Sequence, residues 1–140
     1  FVKEINGIKI YNDNNATTPD ATIAAIYALG EDSSLILICG GADKNLDLSE
    51  LVEVINKYCK TVIMLPGSGT LKLAEQLNSL KASQFKKIDV LNLQEAVAKG
   101  IELAMSGDVV LFSPAFASFG LFKNEYERND EFLKIVESLK

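Results

Sequence analysis

The sequence predicts an α/β fold in which a mostly parallel sheet is covered by helices on both faces. Apolar runs with the length and composition of buried strands recur along the chain, for example over 35–39 and 109–112. Between them lie segments in which apolar residues recur at helical spacing, most clearly over 93–104. Because strands that alternate with helices form parallel sheets, a three-layer, Rossmann-like architecture is expected.

The first residues predict a β-hairpin ahead of this unit. The segments 2–5 and 8–11 are strand-like and flank Asn6-Gly7, a strong signal for a two-residue hairpin turn. A polar segment follows, and Thr18 with Pro19 is typical of a helix start, with Thr18 as the N-cap. The chain is therefore expected to open with two paired strands and a helix.

The remaining elements follow from apolar periodicity. Asp47 and Glu50 are spaced as a capping box ahead of one helix. The elements expected in order are a strand over 35–39, a helix over 48–55, a strand over 61–65, a helix around 73–77, a short strand over 88–91, a helix over 93–104, a strand over 109–112 and a closing helix over 132–139.

Composition excludes several classes of function. The 140 residues suit one domain, and the net charge of −5 argues against nucleic-acid binding. The chain has no histidine, which excludes Ser-His and Cys-His nucleophilic catalysis and His-based metal sites. Cys39 and Cys59 are expected to be buried thiols. No signal peptide or membrane-length apolar run is visible, so a cytoplasmic location without membrane contact is expected.

Ligands of such sheets bind outside the carboxyl ends of the strands, which directs attention to three loops. These are GGADK over 40–44, PGSGT over 66–70 and SPAFASF over 113–119. The second lacks both the Walker pattern and G-x-G-x-x-G, which favours a plain strand-to-helix turn. In the first, Lys44 is equally consistent with a ligand contact and with an ordinary exposed lysine.

Two further loop segments leave alternatives open. In NDNNATTP over 12–19, helix capping explains Thr18 but leaves the roles of Asp13 and Thr17 open. In SPAFASF no catalytic base for a serine is identifiable, so a serine nucleophile is rejected. Phe116 and Phe122 are expected to pack into the core.

The three motifs together resemble a known family. The order strand–NDNNATTP–helix, strand–GGADKNLDLSEL and strand–SPAFASFGLFKNEYERNDEF is similar to the C-terminal domain of bacterial Mur ligases, over essentially the whole chain. The last motif is the most specific and resembles the family members that add D-glutamate. The resemblance implies that residues 1–140 form an amino-acid-binding domain, and Phe1 in place of methionine suggests a fragment of a longer, three-domain chain.

The resemblance also implies an activity. Members that add D-glutamate are ATP-dependent ligases of peptidoglycan synthesis. They phosphorylate the carboxylate of UDP-MurNAc-L-alanine, and the amine of D-glutamate then attacks the acyl phosphate. ATP and Mg²⁺ would be cofactors of the full enzyme, a monomer whose phosphate loop and metal ligands belong to preceding N-terminal and central domains. The 140 residues alone are expected to be inactive. The alternatives are another Mur-type or folylpolyglutamate-type ligase domain, or a non-catalytic Rossmann-like binding module.

The family's binding residues carry over by matching motif. Asp13 would hold the ribose of ATP, Thr17 and Lys44 the carboxylates of D-glutamate, and Ser118 and the amide of Phe119 the rest of the amino acid. The resemblance assigns no catalytic residue and no metal ligand to this chain. Two departures are noted: the family often has Ser-Lys where this chain has Asn14-Asn15, and an aromatic residue where it has Glu125.

Overall fold

A six-stranded sheet in the order β1-β2-β6-β3-β4-β5 forms the centre of the computed structural model, which describes residues 1–30 and 34–140. Its strands are β1 (Lys3–Ile5), β2 (Ile8–Asn12), β3 (Leu35–Cys39), β4 (Cys59–Met64), β5 (Lys86–Asp89) and β6 (Val109–Phe112). The helices within the described residues are α1 (Pro19–Leu29), α2 (Ser49–Tyr58), α3 (Ser68–Asn78), α4 (Leu93–Leu103) and α5 (Glu125–Glu137).

The sheet is mixed, and together with the helices on its two faces it forms a three-layer domain, which confirms the predicted fold class. Strand β1 pairs antiparallel with β2, while each of the other strand pairs in the described ranges is parallel. Helices α1, α2 and α3 pack in one core cluster, and α4 and α5 pack in a second. Residues of β3 alternate between the two clusters, as expected for a strand that is covered on both faces.

The local signals at the start of the chain are confirmed. Asn6 and Gly7 both have positive φ, 52° and 81°, which is the conformation of a two-residue hairpin turn. The hydroxyl of Thr18 accepts a hydrogen bond of 3.3 Å from the amide of Ala21, and Pro19 is the first helical residue. Thr18 is therefore the N-cap of α1.

Several boundaries differ from the prediction. The capping box at α2 is wrong: the N-cap is Leu48, and Asp47 accepts bonds of 2.9 and 2.6 Å from the amide and hydroxyl of Ser49. These bonds to the first residue of α2 satisfy Asp47 without a capping box. Strands β4 and β5 each begin two residues before the predicted position. Lys86 and Lys87 belong to β5, which is an edge strand. Because an edge strand can contain polar residues, its first two positions show no apolar pattern in the sequence.

Both cysteines are buried free thiols, as predicted. Burial raises the pKa of Cys39 to about 12, so this thiol is protonated at neutral pH. Within the described ranges, every helix is too short or too polar to cross a membrane.

The position of β6 creates a crevice that is a candidate ligand-binding site. It lies between β2 and β3, which lead to α1 and α2 in one helical layer, whereas β6 leads to α5 in the other. The connection after β6 therefore leaves the sheet on the opposite face from the connections that follow its two neighbours, β2 and β3. This is a topological switch point, where sheets of this type bind ligands.

Candidate functional site

The loop after β6 is joined by backbone hydrogen bonds to the loops on both sides. Ala42 and Ala117 exchange two bonds of 2.9 and 3.2 Å, which pair the GGADK loop with the SPAFASF loop. On the other side, the amide of Ala115 donates a bond of 2.8 Å to the carbonyl of Ala16. The three loops that carry the predicted ligand residues therefore form one continuous rim.

The GGADK loop is held by a close approach to the start of α3. The amide of Gly69 donates to the carbonyl of Gly41 at 2.9 Å, and the hydroxyl of Thr70 accepts from the amide of Gly41 at 3.0 Å. Gly67 has φ 157°, and a Cβ atom there would collide with the backbone of Gly41. The glycines of PGSGT thus allow two backbones to touch, and that contact explains their presence without a phosphate site.

Asp13 lies at the carboxyl end of β2 and is held by buried hydroxyl groups. Its Oδ2 accepts a hydrogen bond of 2.8 Å from Ser113, whose Oγ lies 2.9 Å from Oγ1 of Thr22. Burial raises the pKa of Asp13, and the bond from Ser113 lowers it in part. Ser113 is fully buried, so it positions the carboxylate and is not accessible as a nucleophile.

The rim also contains a residue to which sequence reasoning assigned no role. Arg128 is the one arginine of the sequence, lies in the first turn of α5, and is 1% exposed. It donates to both oxygens of Asn14, at 2.7 and 2.9 Å, and to the carbonyl of Phe116 at 3.2 Å. It therefore ties the NDNNATTP loop to the SPAFASF loop. The sequence did contain a signal for its role, since Arg128 is the sole arginine and lies inside the most specific motif.

The predicted amino-acid residues lie on the opposite side of β6 from Asp13, apart from Thr17. Lys44 is exposed, Ser118 is buried, and Phe119 is 69% exposed. Ser118 and Phe119 line one small cavity of about 10 Å³. Thr17 is half-buried on the NDNNATTP loop, beside Asp13. Within the described residues no hydrogen bond joins the side chains of these five residues.

The aromatic residues after β6 divide as predicted. Phe116 is buried, and Phe122 is partly buried against the core cluster of α4 and α5. Phe119 instead faces solvent. The split confirms that packing explains Phe116 and Phe122.

Residues 1–116 match the family model described as Mur ligase, glutamate ligase domain. The chain belongs to this family. It is 41% identical over 99% of its length to UDP-N-acetylmuramoylalanine–D-glutamate ligase of Borreliella afzelii, and 39% identical over 99% of its length to the ligase of the same name in Roseiflexus. The chain spans about 30% of the length of these relatives.

A solved structure supports the fold of this Mur ligase domain. The chain is similar to a domain from Haemophilus ducreyi that is assigned to a UDP-N-acetylmuramate:L-alanyl-gamma-D-glutamyl-meso-diaminopimelate ligase. The superposition covers 96% of each of the two chains. The TM-score is 0.60 at 20% sequence identity, so the likeness concerns the fold alone.

The structure also places the residues at which this chain departs from the family's usual motif. Asn14 is buried, and its side-chain amide donates to the carbonyl of Glu125 at 2.9 Å. Asn15 and the side chain of Glu125 are exposed. Asn14 thus has a structural role, since it joins the first loop to the start of α5. In residues 1–30 and 34–140, no three His, Cys, Asp or Glu side chains are grouped as a metal site would require.

Proposed function

We propose that residues 1–140 are the D-glutamate-binding C-terminal domain of a longer, three-domain ligase. This ligase uses ATP to join D-glutamate to UDP-MurNAc-L-alanine in peptidoglycan synthesis, as a cytoplasmic monomer. Family membership and the names of the relatives support the proposal. The observation that carries it is the pairing of Ala42 with Ala117, because it brings the loops of Lys44 and Ser118 together at the switch point.

The chemistry of these loops suits a small dicarboxylic amino acid. Lys44 supplies an ammonium group at the open side of the rim, where it can pair with a carboxylate as a point charge. Thr17 supplies a hydroxyl, and Ser118 and the amide of Phe119 supply further donors. Charge-assisted bonds of this kind fix both position and orientation of the ligand.

Asp13 is suited to hold the ribose of ATP. Its Oδ2 is occupied by Ser113, and the second carboxylate oxygen is available to accept a hydrogen bond from a ribose hydroxyl. ATP supplies the phosphoryl group that activates the acceptor carboxylate, and Mg²⁺ neutralises charge on its phosphates. The phosphate loop and magnesium ligands of this proposal lie in the N-terminal and central domains of the complete protein.

The contribution of this chain is to place the amine of D-glutamate. When Thr17 and Lys44 hold the carboxylates of the amino acid and Ser118 and the amide of Phe119 hold the rest, the amine is directed towards the activated carbonyl. Holding two reactants in the reacting geometry removes much of the entropic barrier to their combination. In this proposal the chain binds and orients the amino acid, and it supplies no acid, base or nucleophile to the reaction.

The direct test is a ligation assay on the complete natural protein that carries this chain. UDP-MurNAc-L-alanine, ATP and Mg²⁺ are combined with D-glutamate, L-glutamate, L-lysine, meso-diaminopimelate or D-alanyl-D-alanine, and phosphate release and product mass are measured. We expect product with D-glutamate only. Selective use of another amino acid would indicate a different Mur-type ligase. Activity with L-glutamate and tetrahydrofolate would indicate a folylpolyglutamate-type enzyme, and no ligation at all would favour a binding module.

A further inference from the structure

Arg128 forms no salt bridge in the part of the chain that the structure describes, and the carboxylate that partly compensates its charge, Glu125, is exposed to solvent. The three hydrogen bonds of Arg128 go to neutral oxygens of Asn14 and Phe116. In each of the salt bridges within these ranges the cation is a lysine. Although burial lowers the pKa of Arg128 to about 10, the guanidinium is protonated at neutral pH. A buried cation of this kind is costly unless an anion compensates it.

Helix stability does not account for this position. Arg128 lies in the first turn of α5, where the helix dipole is positive and acidic residues are favoured. Glu125 and Glu127 occupy the same turn, but their side chains are exposed. The arginine is therefore at the unfavourable end of the helix, and its hydrogen bonds to neutral oxygens require donors with the geometry of the guanidinium group but not its positive charge.

The surroundings of the guanidinium connect it to the candidate amino-acid site. Arg128 lines the cavity that is also lined by Ser118, Phe119 and the two glycines after β3. With a volume of about 10 Å³, this cavity has room for little more than a single water molecule. The ligand therefore lies outside it, and the charge acts through space or through one bridging water.

We propose that Arg128 is a specificity-determining residue whose buried charge makes the Ser118 side of the rim selective for an amino acid with a second carboxylate. This inference rests on the proposed function. The guanidinium is shielded from solvent, whereas Lys44 is exposed and its charge is screened by water and salt. A carboxylate at the rim adds a counter-charge to that of the solvent-exposed Glu125, and it is bound more tightly as a result.

The test compares two ligands that differ in one charge. In the complete protein, the KM for D-glutamate is measured together with the inhibition constant of D-glutamine, which is nearly isosteric and lacks the side-chain charge. In Arg128→Gln we expect the preference for D-glutamate over D-glutamine to fall roughly tenfold, the size of one partly screened charge interaction. In Arg128→Lys, which keeps the charge, we expect the preference to persist even if stability falls.

The matched control is Lys134→Gln, which removes one exposed charge from the same helix and should leave the preference unchanged. Equal weakening of both ligands in Arg128→Gln would overturn the inference and leave Arg128 as a structural clamp. If Arg128→Gln does not fold, citrulline at position 128 keeps the shape and removes the charge, and the same two results decide. A natural protein that does not ligate D-glutamate at all would overturn the proposed function and this inference with it.

Discussion

The two sides of β6 hold their candidate ligand residues by different means. On the β2 side, buried side chains hold Asp13: Ser113 donates a hydrogen bond to it, Thr22 contacts Ser113, and Arg128 fixes the same loop through Asn14. On the β3 side, the loop that carries Lys44 is held mainly by backbone contacts between glycine-rich loops, and Lys44 itself is exposed to solvent. One side is built by hydrogen-bonded side chains and the other by close backbone approach.

This difference teaches where binding and stability can be separated. A side chain that both contacts the ligand and belongs to a buried network cannot be changed without affecting the fold. A side chain that projects from a rigid backbone loop can be changed with little effect on stability. We therefore expect substitutions on the β2 side to lower the free energy of unfolding, and side-chain substitutions on the β3 side to affect binding alone.

The largest effect is expected where the backbones touch. Gly67→Ala places a Cβ against the backbone of Gly41 and should lower the free energy of unfolding by at least about 3 kcal/mol, as measured by urea denaturation. Gly107→Ala is the matched control, because Gly107 also has positive φ, 98°, but has open space around it. It should cost about 1 kcal/mol from backbone conformation alone. Equal losses in the two variants would show that loop contact is not what holds the β3 side.

A smaller effect is expected for the serines of the loop after β6. Ser113→Ala removes the donor to Asp13 and should cost about 2 kcal/mol, since the bond is buried and charge-assisted. Ser118→Ala should change stability by less than about 0.5 kcal/mol, because the Ser118 hydroxyl makes no hydrogen bond within the described residues. Thermal unfolding of both variants measures the difference. A Ser118→Ala loss as large as that of Ser113→Ala would contradict the proposed division.

Most of the fold was predictable because the buried elements have strong periodic signals. The strands at 35–39 and 109–112 have the predicted bounds, as does the N-cap at Thr18. The errors concern polar positions. Lys86 and Lys87 lie in an edge strand that has no apolar alternation, and Asp47 accepts hydrogen bonds from Ser49, the first residue of α2, instead of capping the amide of Glu50. The position of β5 depends on its tertiary neighbours, which a local pattern does not contain, whereas Asp47 had two local partners and the spacing to Glu50 indicated only one of them.

The site was predictable only in part for the same reason. The carboxyl-end rule located the loops, and the family resemblance nominated Asp13, Thr17, Lys44, Ser118 and Phe119. It did not reveal that Arg128 and Asn14 join two of these loops, since the residues are 114 positions apart in sequence. A long-range bond between polar side chains leaves no periodic signal in a single sequence.

The separation of the two sides is tested most directly by a crossed kinetic measurement on the complete protein. The KM values for ATP and for D-glutamate are determined in the natural protein, in Asp13→Asn and in Lys44→Ala, with Lys81→Ala as a control that removes an exposed lysine outside the rim. We predict that Asp13→Asn raises the KM for ATP alone and that Lys44→Ala raises the KM for D-glutamate alone, each about tenfold. Two variants that raise the same KM, or a Lys44→Ala variant that behaves as Lys81→Ala does, would contradict the account.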